Sequence, residues 1–265
     1  MQYEKICFSA MEVVKIAAVY VRDRHENRKD LAIQEKGRQD FVTEVDKKTE
    51  EMLVSGLSEL LPEAGFIAEE GTSSKRGETY NWVIDPVDGT TNFIHGVFPF
   101  AISVGLTEND EVVAGIIYEF GLDEFFYAWK DGGAWLNGTP IRVSEVSSVD
   151  QALVATGFPY TNFLYLEQFM KSMDHFMKNS HGLRRLGSAA TDIAYVACGR
   201  YDGFYEYGLH PWDIAAGILL VKEAGGSVSD FAGHKNPLFD EHIVCSNQKI
   251  FTSFQSVIEK IMLAP

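Results

Sequence analysis

Apolar residues in the first part of the chain recur with helical spacing. Ile6, Ala10, Val13, Val14, Ala17 and Val21 share one stripe, which predicts an amphipathic helix that ends in the charged run 22–30. Residues 36–41 read as a polar turn. A second helix follows, with Val45, Thr49, Met52, Leu53, Leu57 and Leu60 on one face and Pro62 beyond its end. The period then shortens. Phe66-Ile67-Ala68 reads as a short strand closing on Glu69-Glu70-Gly71, and the wholly polar stretch 72–79 as a loop free to act as a flap. Trp82-Val83-Ile84 is an apolar, buried strand that delivers Asp85-Pro86-Val87-Asp88 to a turn at Gly89.

Strands dominate the next segment. Residues 101–106 and 112–118 flank Asn109-Asp110 and predict a β-hairpin; 125–129, a Gly132-Gly133 turn and 141–143 extend it into a largely antiparallel meander. Residues 165–177 then read as a helix. Ser188 caps another that stops at Gly199, and 202–207 form a strand with Glu206 near its end. Asp213 lies in the first turn of an apolar helix that runs to Ala224-Gly225-Gly226. Residues 227–229 and 243–246 close the sheet, and 250–262 form a last helix. The alternation of helices and strands predicts an α/β protein, with strands in consecutive runs giving it α+β character.

Composition narrows the function. At 265 residues and 46% hydrophobic content, the chain can bury one large domain, or two closely packed lobes at roughly 1–145 and 146–265. A formal charge of −15 argues against nucleic acid or an anionic membrane as the main partner. A phosphate is compatible with that charge where metal ions invert the local field. Cys7, Cys198 and Cys245 are widely spaced and form no C-x-x-C pair, so they read as reduced thiols of a cytoplasmic protein. Neither a signal peptide nor a stretch of membrane-spanning length is evident.

The candidate chemistry is carboxylate chemistry. Asp85 and Asp88 lie three apart around Pro86, which fixes its own φ and restricts Asp85 to an extended conformation, so they can face one spot suited to a hard cation; the plainer reading is a turn leaving a strand. Asp46 forms a capping box with Thr43, which by itself explains it better than a site does, although a carboxylate at a helix start can also serve a nearby water. Asp213 suits the dipole of the helix it begins. Glu69 and Glu70 point to opposite faces of their strand end, so one can look inward. No Walker loop, H-E-x-x-H or G-x-S-x-G motif competes with these acids, and an all-oxygen set favours Mg²⁺ over Zn²⁺.

Two segments carry a family resemblance that spans nearly the whole chain: Trp82-Val83-Ile84-Asp85-Pro86-Val87-Asp88-Gly89-Thr90-Thr91-Asn92-Phe93 and Trp212-Asp213-Ile214-Ala215-Ala216-Gly217, the latter followed by Glu223-Ala224-Gly225-Gly226. With residues 36–46 and 66–70, they resemble the inositol monophosphatase family of Mg²⁺-dependent, lithium-sensitive phosphatases. The resemblance implies a layered α-β-α-β-α sandwich and, for bacterial-type members, a homodimer. It implies that Glu69, Asp85, the carbonyl of Val87, Asp88 and Asp213 hold the metals, with Glu70 serving a more weakly held third Mg²⁺. Asp46 and Thr90, with Glu69, would orient and deprotonate the attacking water. Gly89 and Thr90 would offer backbone N–H groups to the phosphate. The substrate contacts implied are Asp88, Gly89, Thr90, Gly187, Ser188, Ala189, Glu206 and Asp213, with 187–189 and Glu206 facing the alcohol.

Thr91-Asn92 resembles the branch acting on inositol phosphates. Relatives hydrolyse fructose 1,6-bisphosphate, adenosine 3′,5′-bisphosphate or histidinol phosphate, and some bacterial members are extragenic suppressors linked to RNA polymerase or RNA. The expected substrate is thus a small phosphorylated polyol or sugar.

Overall fold

The computed structural model describes residues 2–28, 33–37, 40–160 and 163–264. In chain order, α1 (Gln2–Glu26), β1 (Ile33–Gly37), β2 (Asp40–Thr43) and α2 (Glu44–Leu60) precede β3 (Gly65–Ala68) and β4 (Tyr80–Asp88). After α3 (Thr90–His95) come β5 (Ala101–Glu108), β6 (Glu111–Glu119), β7 (Glu124–Trp129), β8 (Ala134–Leu136) and β9 (Thr139–Ile141). The remainder is β10 (Leu153–Thr156), α4 (Leu166–Asn179), β11 (Gly182–Arg184), α5 (Ala189–Ala197), β12 (Gly203–Tyr207), α6 (Pro211–Glu223), β13 (Gly226–Ser229), β14 (His242–Asn247) and α7 (Phe251–Met262).

Strands β3 to β9 form one sheet in chain order, and the second sheet is ordered β11-β10-β12-β14-β13. Both sheets are buried on their two faces, so successive residues of a strand face opposite layers. Trp82 and Ile84 of β4 pack towards α1 and α2, whereas Val83 between them faces α5 and α6. On the second sheet Phe204 and Cys245 face α5 and α6, while Tyr205 and Val244 face α4 and α7. The order is therefore α-β-α-β-α. Four interfaces separate the five layers, and the two on either side of α5 and α6 join into one apolar interior.

Small residues let that middle layer sit close. A Cβ on Gly105 would lie 2.9 Å from Ala215 Cβ, one on Gly115 would lie 2.8 Å from Ala216 O, and one on Gly217 would lie 2.6 Å from Ile193 Cγ2. The Ala-Ala-Gly after Asp213 thus has a packing reason: it seats the start of α6 between sheet and helix. At the end of α6, Glu223 accepts the N–H groups of Asp131 (2.9 Å) and Gly133 (2.8 Å), tying the helix to the β7–β8 turn.

Several local expectations change. Helix α1 runs into the charged segment as far as Glu26, because Arg22 reaches Asp123 and Tyr118 across the sheet and Arg24 reaches Glu44. The expected polar turn at 36–41 is largely the antiparallel pair β1–β2. Strand β9 stops at Ile141 and does not include 142–143, where Val143 N instead donates to Ala224 O at 3.2 Å. Strands β10 and β11, of four and three residues, are too short to show a period. The loop 72–79 is pinned to its surroundings: Lys75 O accepts from Phe66 N at 2.8 Å and Gly77 N donates to Asn81 Oδ1 at 2.9 Å.

The Asn109-Asp110 hairpin turn stands as expected, with both residues at positive φ (50° and 64°). Cys7 and Cys245 are buried, Cys198 is partly so, and all three are free thiols. No helix among the described residues is long and apolar enough to cross a membrane.

Gly115→Val is expected to lever α6 off the sheet and destabilise the protein by about 1–3 kcal/mol, the usual cost of overpacking. Urea denaturation measures this. An unchanged midpoint would show that the contact gives way without cost.

Candidate active site

Strand β4 solves a parity problem. Residues three apart on a regular strand point to opposite faces, yet Asp85 and Asp88 must meet. Asp85 pairs with Ser103 and Asp88 with Ala101, so three steps on β4 match two on β5. This one-residue bulge at Pro86-Val87 turns both carboxylates towards the middle layer, the face already occupied by Val83. On the second sheet Glu206 shares the face of Phe204 by the same period and reaches the same layer. Helices α5 and α6 begin there, and α6 contributes Asp213 from its first turn.

Oxygens of Asp85, Asp88 and Asp213 all lie within 4.8 Å of one another. Each carboxylate has its own support. Asp85 accepts Val87 N–H at 2.9 Å. Asp88 accepts the Ser188 hydroxyl at 2.5 Å and Ala190 N–H at 2.8 Å, both from the start of α5. Asp213 accepts His210 N–H at 2.6 Å in a capping box.

These donors do not cancel the crowding. Burial pushes the Asp88 carboxyl up to about 6, against hydrogen bonds from Ser188 and the first amides of α5. Burial first, then the charge of Asp88, raises Asp213 to about 7. Asp85 is held well above the carboxylate range by burial and by the charges of Glu69, Asp88, Asp213 and Asp46. Glu206 is raised likewise, by burial and then by Asp213 and Asp88. Such a set fits a hard divalent cation, which takes oxygen ligands and removes the repulsion that holds the protons on.

The carboxylates line a cleft of about 330 Å³. Glu69, Val87, Gly89, Thr90, Gly187, Ser188, Ala189 and Glu206 also line it. Gly89 takes φ 90°, and a Cβ there would sit 3.1 Å from Gly187 O, so the two glycines bring the loops before α3 and α5 together. Asp46 is not on the cleft wall. It is buried beneath it and accepts from Thr90 Oγ1 at 3.1 Å, a hydroxyl that also lies 3.0 Å from Val87 O. Asp46 therefore has a partner far from the start of α2; the Thr43 side chain of the expected capping box lies outside the described residues. Glu70 does not line the cleft, and its N–H donates to Glu50 Oε2 at 2.7 Å.

Sequence reasoning missed several residues. Arg185 is the only lysine or arginine lining the cleft among the described residues; its guanidinium lies 4.8 Å from the Phe158 ring centroid and 5.3 Å from that of Tyr160, and donates to the Tyr160 hydroxyl. Its position two residues before Gly187 was the available signal. Asn92, inside the quoted motif, braces two loops by donating to Pro99 O (2.7 Å) and Leu186 O (2.9 Å). Asp192 is buried with no hydrogen-bond partner for either carboxylate oxygen, and burial holds its carboxyl well above the ordinary range. Nothing in its helical context marks it.

A carboxyl whose pKa is higher in the folded than in the unfolded chain contributes stability that is complete below about pH 4 and is lost as pH rises through the folded value. For Asp213 that value is about 7. In metal-free protein, the melting temperature of Asp213→Asn relative to wild type is expected to climb from about pH 4 to about pH 8. Scanning calorimetry in chelator checks it, and a constant difference would contradict the raised carboxyl.

A sequence model of the inositol monophosphatase family matches residues 2–262. An inositol-1-monophosphatase of Rhizobium meliloti is 38% identical over 258 residues, covering 95% of this chain and 97% of the relative. A fructose-1,6-bisphosphatase/inositol-1-monophosphatase of Thermotoga maritima is 38% identical, covering 90% of each chain. Among solved structures, the extragenic suppressor protein suhB of Bartonella henselae superimposes with a TM-score of 0.89 at 35% identity, covering 94% of this chain and 96% of that one. The layered fold, the convergent carboxylates and these likenesses agree: the chain belongs to the inositol monophosphatase family.

Proposed function

We propose that the protein is a Mg²⁺-dependent phosphomonoesterase that hydrolyses inositol monophosphate to inositol and phosphate. The observation that carries this reading is the meeting of Asp85, Asp88 and Asp213 within 4.8 Å beside the Thr90–Asp46 pair. Glu69, Asp85, the Val87 carbonyl, Asp88 and Asp213 would hold two Mg²⁺ ions, with Glu70 towards a third. Bound Mg²⁺ supplies charge that neutralises phosphate oxygens and acidifies a water. We treat the chain as one catalytic unit of two closely packed lobes, because the cleft draws residues from both.

The chain's own groups then divide the work. Asp46 accepts a hydrogen bond from the Thr90 hydroxyl, which leaves a Thr90 lone pair to accept from the attacking water, and Glu69 would help to orient that water. Gly89 and Thr90 present backbone N–H groups to the phosphate. Ser188 spends its hydroxyl on Asp88 and, as the cap of α5, accepts Thr191 N–H at 3.3 Å, so it keeps Asp88 aimed while Gly187 and Ala189 leave room for the alcohol. Glu206 faces that room with its carboxylate against the bare Cα of Gly157, where a Cβ would lie 1.8 Å from Oε1.

Arg185 supports a second reading, a sugar bisphosphate as substrate. A guanidinium held on two aromatic rings at the cleft wall suits a second phosphate on the alcohol half. The intact acidic set favours an enzyme over a purely binding role of the extragenic-suppressor kind. Free buried thiols fit a cytoplasmic setting. For a homodimer, the support is the exposed stripe Leu166, Met170 and Met177 on α4, at 41%, 54% and 59% exposure.

Phosphate release from inositol 1-phosphate is expected to require Mg²⁺ and to fall to background in Asp88→Asn and Asp213→Asn; full activity in either variant rejects the assignment. Thr90→Ala should lower kcat by about 100-fold or more, the usual contribution of acid–base assistance, with Mg²⁺ affinity kept. Arg185→Ala separates the substrates: a loss confined to fructose 1,6-bisphosphate supports the bisphosphate reading, and equal turnover of both substrates removes it.

A further inference from the structure

The loop carrying Glu69 is anchored by a residue outside the cleft. Glu50 lies one helical turn after Asp46 on α2 and is fully buried. Its Oε2 accepts the N–H of Glu70 at 2.7 Å, and its Oε1 accepts both the N–H and the hydroxyl of Thr72, each at 2.7 Å. These three bonds close the turn Glu69-Glu70-Gly71-Thr72, in which Gly71 takes φ 66°. The other edge of the turn is tied to the sheet, where Glu69 N donates to Ile84 O at 3.2 Å. Glu69 is thus held between β4 and α2.

We propose that Glu50 is a positioning residue that sets the Glu69 carboxylate for cation binding. With Asp46 at its other end accepting from Thr90, the first turns of α2 form a rigid bar that fixes Glu69 relative to Thr90. The inference rests on the reading of Glu69 as a metal ligand. A carboxylate is the group that fits here, since both oxygens face donors. Glutamine has nearly the same shape but turns an NH₂ towards a backbone N–H, so the turn must shift.

The test is Mg²⁺ affinity of the full chain by isothermal titration calorimetry, together with melting of the metal-free protein. Glu50→Gln is expected to weaken Mg²⁺ binding by about 10- to 100-fold, as loss of an outer-shell partner does. Thr72→Val, which removes one of the three donors, should weaken it by about 3- to 10-fold, and Thr72→Ser should restore it. A folded Glu50→Gln with lower melting temperature but wild-type Mg²⁺ affinity overturns the proposal. If Glu50→Gln does not fold, unchanged affinity in Thr72→Val does the same. Glu69→Gln separates the two levels: if it leaves Mg²⁺ binding intact, the ligand reading falls and this proposal with it; if it weakens binding while Glu50→Gln does not, only the positioning role is lost.

Discussion

The crowding of three carboxylates out of water is the constraint around which the cleft is built. Asp85, Asp88 and Asp213 converge within 4.8 Å, and burial raises all three carboxyls. Left to itself such a cluster opposes folding, because each ionised group loses water and faces like charge. The surrounding structure offsets this locally rather than with paired cations. Backbone N–H groups of Val87, Ala190 and His210 and the Ser188 hydroxyl each take one lone pair. The remaining repulsion is what a divalent cation relieves, and it ties metal affinity to the same geometry that stability has to tolerate.

The layered architecture places these groups more accurately than loops could. Both sheets present their site acids on the side facing α5 and α6, and both helices start at the cleft. Gly105, Gly115 and Gly217 let α6 approach to near backbone contact, so Asp213 is registered against β5 and β6 by hard packing. Cleft chemistry and core packing are consequently one problem. A side chain added on the sheet beneath α6 moves a carboxylate in the site.

The elements that set this geometry were legible in the amino-acid sequence because they are periodic or punctuated. The apolar run Trp82-Val83-Ile84 exposed the strand, and Asp85 to Gly89 marked its end. What alternation could not reveal was the bulge: a pattern of period two places Asp85 and Asp88 on opposite faces, and only the shifted pairing with Ser103 and Ala101 reunites them. Asp46 was ambiguous for a different reason. A helix cap and a buried acceptor for Thr90 use the same residue at the same position, and local sequence carries no sign of a partner 44 residues away. Glu50 was hidden altogether, as one acid among several on a charged helix.

The carboxylate side of the cleft and its far wall differ in how they are made, and this explains why one could be read from the sequence more closely than the other. Carboxylates, glycines and Thr90 come from strand ends and helix starts, whose spacing is fixed by hydrogen bonding and close packing. The far wall comes from segments between such elements: Phe158 and Tyr160 after β10, Arg185 after β11, and Leu209 and His210 before α6. Side chains there are held by ring stacking and one another rather than by a ladder, as with Arg185 over Phe158 and Tyr160. Exchange of a ring or a guanidinium in these segments leaves the carboxylate geometry untouched. The two walls can therefore vary separately, the carboxylates on the hydrogen-bonded frame and Arg185 with its two aromatic supports on the segments between elements.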